Sequence, residues 1–175
     1  MSTLCKDSVK IIILFFVLAS NYFCLASDNK LECKAGKNER FLIFEEIHGT
    51  EMTPEDEKII REQGLFYSFD NEVLKKVSCI RAKIKDDNDQ LTQAGITLYK
   101  KDPSLANTIT LLILAVKDGY KGKGIGRASI EYLASTTQCE NIQLVSTPQA
   151  VDFYIKIGFK QGLIETMLEK SFKNK

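Results

Sequence analysis

The chain has 175 residues, a length that predicts one domain. Hydrophobic residues make up 44% of it and charged residues 27%, which is typical of a globular protein and excludes a disordered or low-complexity chain. With 24 basic and 23 acidic side chains the net charge is +1, so the composition does not favour a nucleic-acid partner.

Histidine and cysteine usage excludes two further kinds of site. His48 is the one histidine, so no site can use two of them. The 5 cysteines form no C-x-x-C pair, which argues against a zinc knot or a dense disulfide framework. No metal is therefore expected.

Residues 1–26 have the pattern of a secretory signal peptide. Two lysines precede the unbroken apolar run Ile11–Leu18, and small residues follow it at Cys24, Ala26 and Ser27. The run is shorter than the roughly 20 residues that a membrane-spanning helix needs. The pattern predicts an exported protein, secreted or periplasmic. Two alternatives stay open: an uncleaved membrane anchor, the one case with a membrane partner, and a cytoplasmic protein whose true start lies downstream.

The next part of the chain leads into the folded domain. Residues 27–39 are polar and lysine-rich and are predicted to be a linker, so that the domain spans 40–175. The β-type run within 40–47 predicts the first strand. Thr53 and Pro54 follow as a capping hydroxyl and a proline suited to the first helical position. A helix is therefore expected to begin there.

Three strands are predicted in the middle of the chain. Segments 77–84 and 90–101 have strand character and are separated by a polar turn at 86–89. The third, 108–116, is apolar at every position of Leu111–Val116. Continuous hydrophobicity predicts a central strand that is covered on both faces.

The remaining elements alternate in type. The pattern predicts a helix with Ile130, Leu133 and Ala134 on its buried face, a short strand at 141–145, a helix at 148–157 and a last strand at 163–172. Mixed strands and helices with short connections predict an α/β or α+β domain.

Four of the ten glycines lie within 119–126, between the apolar strand and the helix that follows. Glycines at such a junction let backbone N–H groups approach a ligand, and a helix start attracts negative charge. The pattern predicts an anion site to which Lys121, Lys123 and Arg127 add charge; a flexible turn with solvated lysines is the alternative. The nucleoside-triphosphate loop and the dinucleotide fingerprint both fail to match.

Two segments resemble motifs of one family. Lys-Gly-Lys-Gly-Ile-Gly at 121–126 resembles the acetyl-coenzyme A loop R/Q-x-x-G-x-G/A of the GNAT N-acetyltransferases, with Lys121 where the family has Arg or Gln. Segment 147–159 resembles the family motif A-x-x-F-Y-x-K-x-G-F. The resemblance extends over about 40–172. It implies a single domain with a mixed, mostly antiparallel central sheet flanked by helices, which transfers acetyl from acetyl-coenzyme A to an amine of a small molecule or protein.

The resemblance also implies roles for individual residues. Oxyanion-stabilising N–H groups are expected in a bulged central strand around Leu114–Val116. Tyr154 is expected to protonate the leaving thiolate, since a phenol stays protonated at neutral pH; a core aromatic is the alternative for this residue. The residues implied in binding the co-substrate are Leu114, Ala115, Val116, Lys121, Gly122, Lys123, Gly124, Ile125, Gly126, Arg127 and Thr147.

The general base is not evident in the sequence. Many family members carry a glutamate in the central strand, but Leu111–Ile113 contains no carboxylate. Glu45, Glu46 and His48 are candidates by position alone, and a water chain could also take the proton. Two functions of other classes therefore stay open: a catalytically silent acyl-coenzyme A binding module and a secreted interaction domain. The acceptor and the oligomeric state are not predicted.

Overall fold

The computed structural model describes residues 24–27, 30–35, 40–64, 70–85, 90–101, 103–105, 107–162 and 167–172. Most of the predicted signal segment and the predicted turn at 86–89 lie outside these residues. No helix in the described part of the chain is both long and apolar enough to cross a membrane.

The described residues form one sheet of nine strands with helices on both faces. The strands are β1 (Cys24–Ser27), β2 (Lys30–Ala35), β3 (Arg40–His48), β4 (Ser78–Lys85), β5 (Leu91–Lys101), β6 (Thr108–Val116), β7 (Asn141–Val145), β8 (Lys160–Gln161) and β9 (Met167–Ser171). The helices are α1 (Pro54–Glu62), α2 (Asn71–Leu74), α3 (Ile125–Thr137) and α4 (Val151–Lys156), with 3-10 turns at Gly49–Glu51 and Pro148–Ala150.

The strand order is β1-β2-β3-β4-β5-β6-β7-β9-β8. Every neighbouring pair is antiparallel except β6 and β7, which are parallel and joined by α3. The expectation of a mixed, mostly antiparallel sheet flanked by helices in a single domain is confirmed.

The segment predicted to be a linker contains a strand. Lys30–Ala35 pairs with β1 on one side and with β3 on the other. The polar, lysine-rich composition of this segment predicts a linker, whereas its pairing with both neighbours makes it an internal strand of the sheet.

Helix α1 begins as its sequence predicts. The Thr53 hydroxyl accepts a hydrogen bond from the Asp56 N–H, and the Asp56 carboxylate accepts one from the Thr53 N–H, which completes a capping box ahead of Pro54. Ile59 and Ile60 are buried against the sheet. Helix α1 therefore packs on the face of the sheet that carries the side chains of Ile96 and Ile113.

Helix α3 covers the opposite face of the sheet. Its Ile130 and Leu133 pack in a second cluster with Phe44 and Leu111. The expected buried face of this helix is thereby confirmed. The expected helix at 148–157 is shorter than predicted, because its first turn is 3-10 and α4 begins only at Val151.

Strand β6 is central and covered on both faces, as expected, but not all of its side chains are buried. Its odd-numbered side chains are buried, but Leu112, Leu114 and Val116 are only partly buried. These three side chains lie on the wall of a cavity. The unbroken hydrophobicity of the strand therefore comes from one set of side chains in the core and another set at a cavity.

Candidate active site

A cavity of about 690 Å³ opens where β6 and β7 separate. The two strands pair from Thr108 with Asn141 to Leu111 with Leu144, but β6 then continues to Val116 while β7 ends at Val145. The part of β6 that extends beyond its pairing with β7 forms one wall of the cavity, and the segment after β7 forms the other. We call this space the splay cavity.

Strand β6 carries a bulge at the mouth of this separation. Leu98 of β5 pairs with Ile113 and Tyr99 pairs with Leu111, so Leu112 is an extra residue in β6. Without a bulge, residues two apart in a strand lie on the same face of the sheet. Here Leu111 packs in the cluster on the α3 face, whereas Ile113 packs in the cluster on the α1 face. It lies two residues before the Leu114–Val116 segment in which it was expected.

The glycine turn is built from left-handed backbone. Gly119, Gly122 and Gly124 have φ angles of 82°, 76° and 82°, a backbone conformation that residues other than glycine rarely adopt. Gly124 is the residue that precedes α3, and no side chain caps the first N–H groups of this helix. Such uncapped N–H groups at a helix start can donate to an anion, and anion binding by this turn stays a prediction.

Charged residues of the turn have partners within the protein. Lys121 Nζ lies 2.8 Å from Asp118 Oδ1, and this ion pair lowers the pKa of the Asp118 carboxyl. Lys123 Nζ lies 4.8 Å from the centre of the Tyr120 ring. Arg127 Nε is 3.9 Å from a carboxylate oxygen of Glu131, one turn further along α3.

Gly126 lies where the turn meets the rest of the wall. A Cβ at this position would lie 3.0 Å from the ring of Phe153 and 3.5 Å from a methyl of Leu114. The absent side chain therefore keeps a narrow part of the splay cavity open.

Tyr154 of α4 is on the wall of the cavity and is 7% exposed. Its ring packs edge-on against Phe153 and Phe159, with ring centres 5.0 Å and 5.3 Å apart. Burial raises the pKa of Tyr154, so its hydroxyl stays protonated.

The cavity wall brings together most, not all, of the residues that the resemblance implied. Ala115 and Lys123 do not line it: Ala115 points into the core of the α1 face, and Lys123 is exposed beside Tyr120. The implied residues that do line it are Leu114, Val116, Lys121, Gly122, Gly124, Ile125, Gly126, Arg127, Thr147 and Tyr154.

Other residues of the wall were missed at the sequence level. Val145 is the last residue of β7 and Ser146 follows it, and whether these positions face the cavity depends on where β6 and β7 separate. Phe153 and Ile157 belong to the second motif and could have been assigned from it. Gln63 belongs to neither motif and carried no signal.

The structure does not bring the three candidate bases to the cavity. They lie on β3, which β4 and β5 separate from β6, and three strand spacings amount to about 14 Å. Glu45 binds Lys83 Nζ at 2.7 Å, an interaction that lowers the pKa of Glu45. Glu46 accepts a hydrogen bond from the Tyr99 hydroxyl, and His48 Nδ1 lies 2.9 Å from the Thr50 hydroxyl.

Potential metal ligands do not cluster in the described part of the chain. No group of three or more His, Cys, Asp or Glu side chains there could hold an ion. Cys79 and Cys139 are buried free thiols. Burial raises the pKa of Cys79 to about 12, so this thiol is a poor nucleophile and metal ligand.

Comparisons with solved structures show the fold. A GNAT-family protein from Desulfovibrio desulfuricans, described as a putative acetyltransferase, superposes with a TM-score of 0.55 at 15% identity over 74% of this chain and 98% of its own. The IAA acetyltransferase of Bacillus cereus gives 0.52 at 14% identity over 73% and 96%. N-acetylglutamate synthase from Neisseria gonorrhoeae, complexed with coenzyme A and L-arginine, gives 0.59 at 15% identity over 77% and 34%.

Sequence comparison identifies the family. No curated protein sequence matches the chain. The family model for the acetyltransferase (GNAT) domain matches residues 62–161, a segment that contains both motifs, the glycine turn and Tyr154. The chain therefore belongs to the GNAT acetyltransferase family.

Proposed function

We propose that the protein transfers an acetyl group from acetyl-coenzyme A to an amine of a small molecule or a protein. One observation carries the proposal: a single cavity has both the glycine turn and Tyr154 on its wall. The first suits a pyrophosphate and the second suits the leaving sulfur of a thioester.

The residues of the splay cavity fit this co-substrate. Uncapped N–H groups at the start of α3, with Lys121 and Arg127 beside them, offer donors and positive charge to the pyrophosphate. The exposed backbone of β6 beyond Leu111 has no partner strand on the β7 side and can hydrogen-bond the pantetheine arm. Thr147 lies on the opposite wall.

The proposed reaction is a direct acyl transfer. The neutral amine attacks the thioester carbonyl, a C–N bond forms, and the C–S bond breaks with the electron pair going to sulfur. Tyr154 donates its phenolic proton to the thiolate and is reprotonated by the proton that the amine gives up, which water carries. Backbone N–H groups near the Leu112 bulge stabilise the oxyanion.

A silent acyl-coenzyme A binding module is the second candidate. It is favoured by the absence of any Asp, Glu or His among the described residues that line the cavity. Without such a side chain, deprotonation of the amine depends on water.

Incubation with labelled acetyl-coenzyme A tests the two candidates. Polyamines, free amino acids and lysine-containing peptides serve as acceptors, and the Gly126→Val variant serves as a matched control for binding. We expect label on at least one acceptor with the wild-type protein. Thermal stabilisation by acetyl-coenzyme A without label on any acceptor would instead identify a binding module.

We also propose that the protein is exported and that its N-terminal segment is removed. The proposal is supported by the basic start, short apolar run and small residues within 1–26. Mass spectrometry of the purified chain is expected to find an N-terminus near Ser27. A chain that keeps Met1 would indicate a membrane anchor or a cytoplasmic protein.

A further inference from the structure

Gln63 is the residue at which α1 ends, and it lies on the wall of the splay cavity. Helix α1 packs on the face of the sheet opposite to α3, since Ile59 and Ile60 belong to one core cluster and Ile130 to the other. Gln63 therefore reaches the cavity from the α1 side of the sheet, close to Asp118 at the start of the glycine turn.

The side-chain amide of Gln63 is a donor without a hydrogen bond of normal geometry. Its Nε2 is shielded from solvent and meets no acceptor among the described residues at ordinary hydrogen-bond distance and angle. The amide interacts weakly with the Asp118 carboxylate, whose pKa is lowered mainly by Lys121 and to a smaller degree by the Gln63 side chain, so a ligand oxygen would replace or share that interaction. A shielded donor without a normal hydrogen bond destabilises the folded protein, so a well-placed ligand oxygen would relieve that cost.

Helix α1 holds Gln63 in a fixed place. Near the start of the helix, Asp56 Oδ2 lies 2.7 Å from Arg81 Nη2, and Asp56 Oδ1 accepts a hydrogen bond from Gln93 Nε2 at 2.6 Å. Glu55 binds Lys117 Nζ at 3.2 Å, which ties α1 to the end of β6. A donor on such an anchored helix loses little freedom when it binds.

We propose that Gln63 is a coenzyme-binding residue whose side-chain amide donates a hydrogen bond to an oxygen of coenzyme A, on the pyrophosphate or on a pantetheine carbonyl. The terminal torsion of glutamine has a broad energy profile, so the amide turns toward the cavity at little cost. This inference rests on the proposed function, because it assumes that the co-substrate occupies the splay cavity.

Calorimetric titration with coenzyme A, together with thermal unfolding, tests the inference. Gln63→Leu removes the donor at similar size, and we expect binding to weaken roughly threefold to tenfold, the value of one hydrogen bond. The thermal midpoint should change little, because the variant removes a shielded donor without a normal hydrogen bond together with its weak interaction with the exposed Asp118. Gln138→Leu, at an exposed position beyond α3, is the matched control and should change neither quantity.

A second variant guards against a folding defect. Gln63→Glu keeps the shape, loses the donor and adds a negative charge near the expected phosphates, so it should weaken binding more than Gln63→Leu does. Unchanged affinity in a folded Gln63→Leu protein overturns the inference, as does a lower thermal midpoint with a parallel loss of affinity, which would reveal a packing role. Wild-type protein that fails to bind coenzyme A would instead refute the proposed function itself.

Titrations with ADP and with pantetheine locate the acceptor oxygen. If Gln63→Leu also weakens the binding of ADP, the acceptor oxygen lies on the pyrophosphate. If the variant weakens the binding of pantetheine instead, the acceptor is a carbonyl oxygen of the pantetheine arm. Equal binding of both fragments by the wild type and the variant overturns the inference.

Discussion

Among single residues, Tyr154 combines a closely packed ring with a place on the wall of the splay cavity. Its ring is held between Phe153 and Phe159, while the residue also borders the splay cavity. Burial raises its pKa, which keeps the hydroxyl protonated throughout the neutral range.

Tyr154→Phe separates the acid role from packing, since it removes one hydroxyl and keeps the ring. We expect kcat to fall at least about tenfold, because general acid catalysis contributes about 10²- to 10⁴-fold and water replaces part of it. Affinity for acetyl-coenzyme A should change much less. Steady-state kinetics with an acceptor from the panel, beside calorimetry, measure both quantities. A wild-type kcat in the variant would make Tyr154 a core aromatic.

Gly126→Val tests the narrow part of the cavity. The new side chain would begin 3.0 Å from Phe153 and 3.5 Å from Leu114, so it must displace one of them or fill the cavity. Overpacking costs about 1–3 kcal/mol, and we expect coenzyme A to bind at least about fivefold more weakly. Gly126→Ala should have a smaller effect in the same direction. Calorimetry on the folded variants measures their affinity for coenzyme A. Unchanged affinity in both variants would show that the ligand does not bind against this wall.

Among the elements, helix α1 is stabilised by a buried ion pair in addition to its capping box, and Asp56 takes part in both. Asp56 is 0% exposed and binds Arg81, Thr53 and Gln93. Burial alone would raise the pKa of Asp56, but these hydrogen bonds outweigh it and hold the pKa below its usual value of 3.8. Asp56 is therefore charged in the folded protein at any pH near neutral.

This lowered pKa predicts how stability depends on pH. Because the folded pKa lies below the unfolded one, Asp56 stabilises the protein above about pH 4, and its contribution is lost as the pH falls through the folded value. Asp56→Asn should lower the free energy of unfolding at pH 7 by about 3 kcal/mol, since it leaves Arg81 without its buried partner. Urea unfolding of the wild type and the variant at pH 7 and at pH 3 measures the difference in their free energy of unfolding. A variant as stable as the wild type at pH 7 would contradict it.

In the molecule as a whole, the described strand that overlaps the predicted signal segment, β1, lies at one end of the strand order. Among the described strands, β1 pairs only with β2, at the edge of the sheet farthest from the splay cavity.

Removal of residues 1–26 should therefore leave a folded and binding-competent protein. We expect the chain that begins at Ser27 to keep its affinity for coenzyme A, because every described residue of the cavity wall lies between Gln63 and Ile157. Calorimetry and thermal unfolding of the shortened and the full chain provide the comparison. A shortened protein that no longer binds would show that the N-terminal hairpin supports the sheet.

Much of the fold could be predicted because the signals are local. Thr53 and Pro54 begin α1, and the glycines of 119–126 form the turn before α3, since capping and left-handed backbone depend on residues close together in the chain. The same locality explains why two short motifs indicated the family, and with it the glycine turn and Tyr154 as parts of one site.

Other features depend on how distant strands pair, and only the tertiary structure decided them. The bulge at Leu112 follows from the register between β5 and β6, and the cavity follows from the point at which β6 and β7 part. The distance of Glu45 from that cavity is set by the two strands between β3 and β6. Gln63 reaches the wall because α1 is anchored across the sheet by Asp56, a contact between residues far apart in the chain. Strand register and helix docking are sums of many long-range contacts, which no short stretch of sequence encodes.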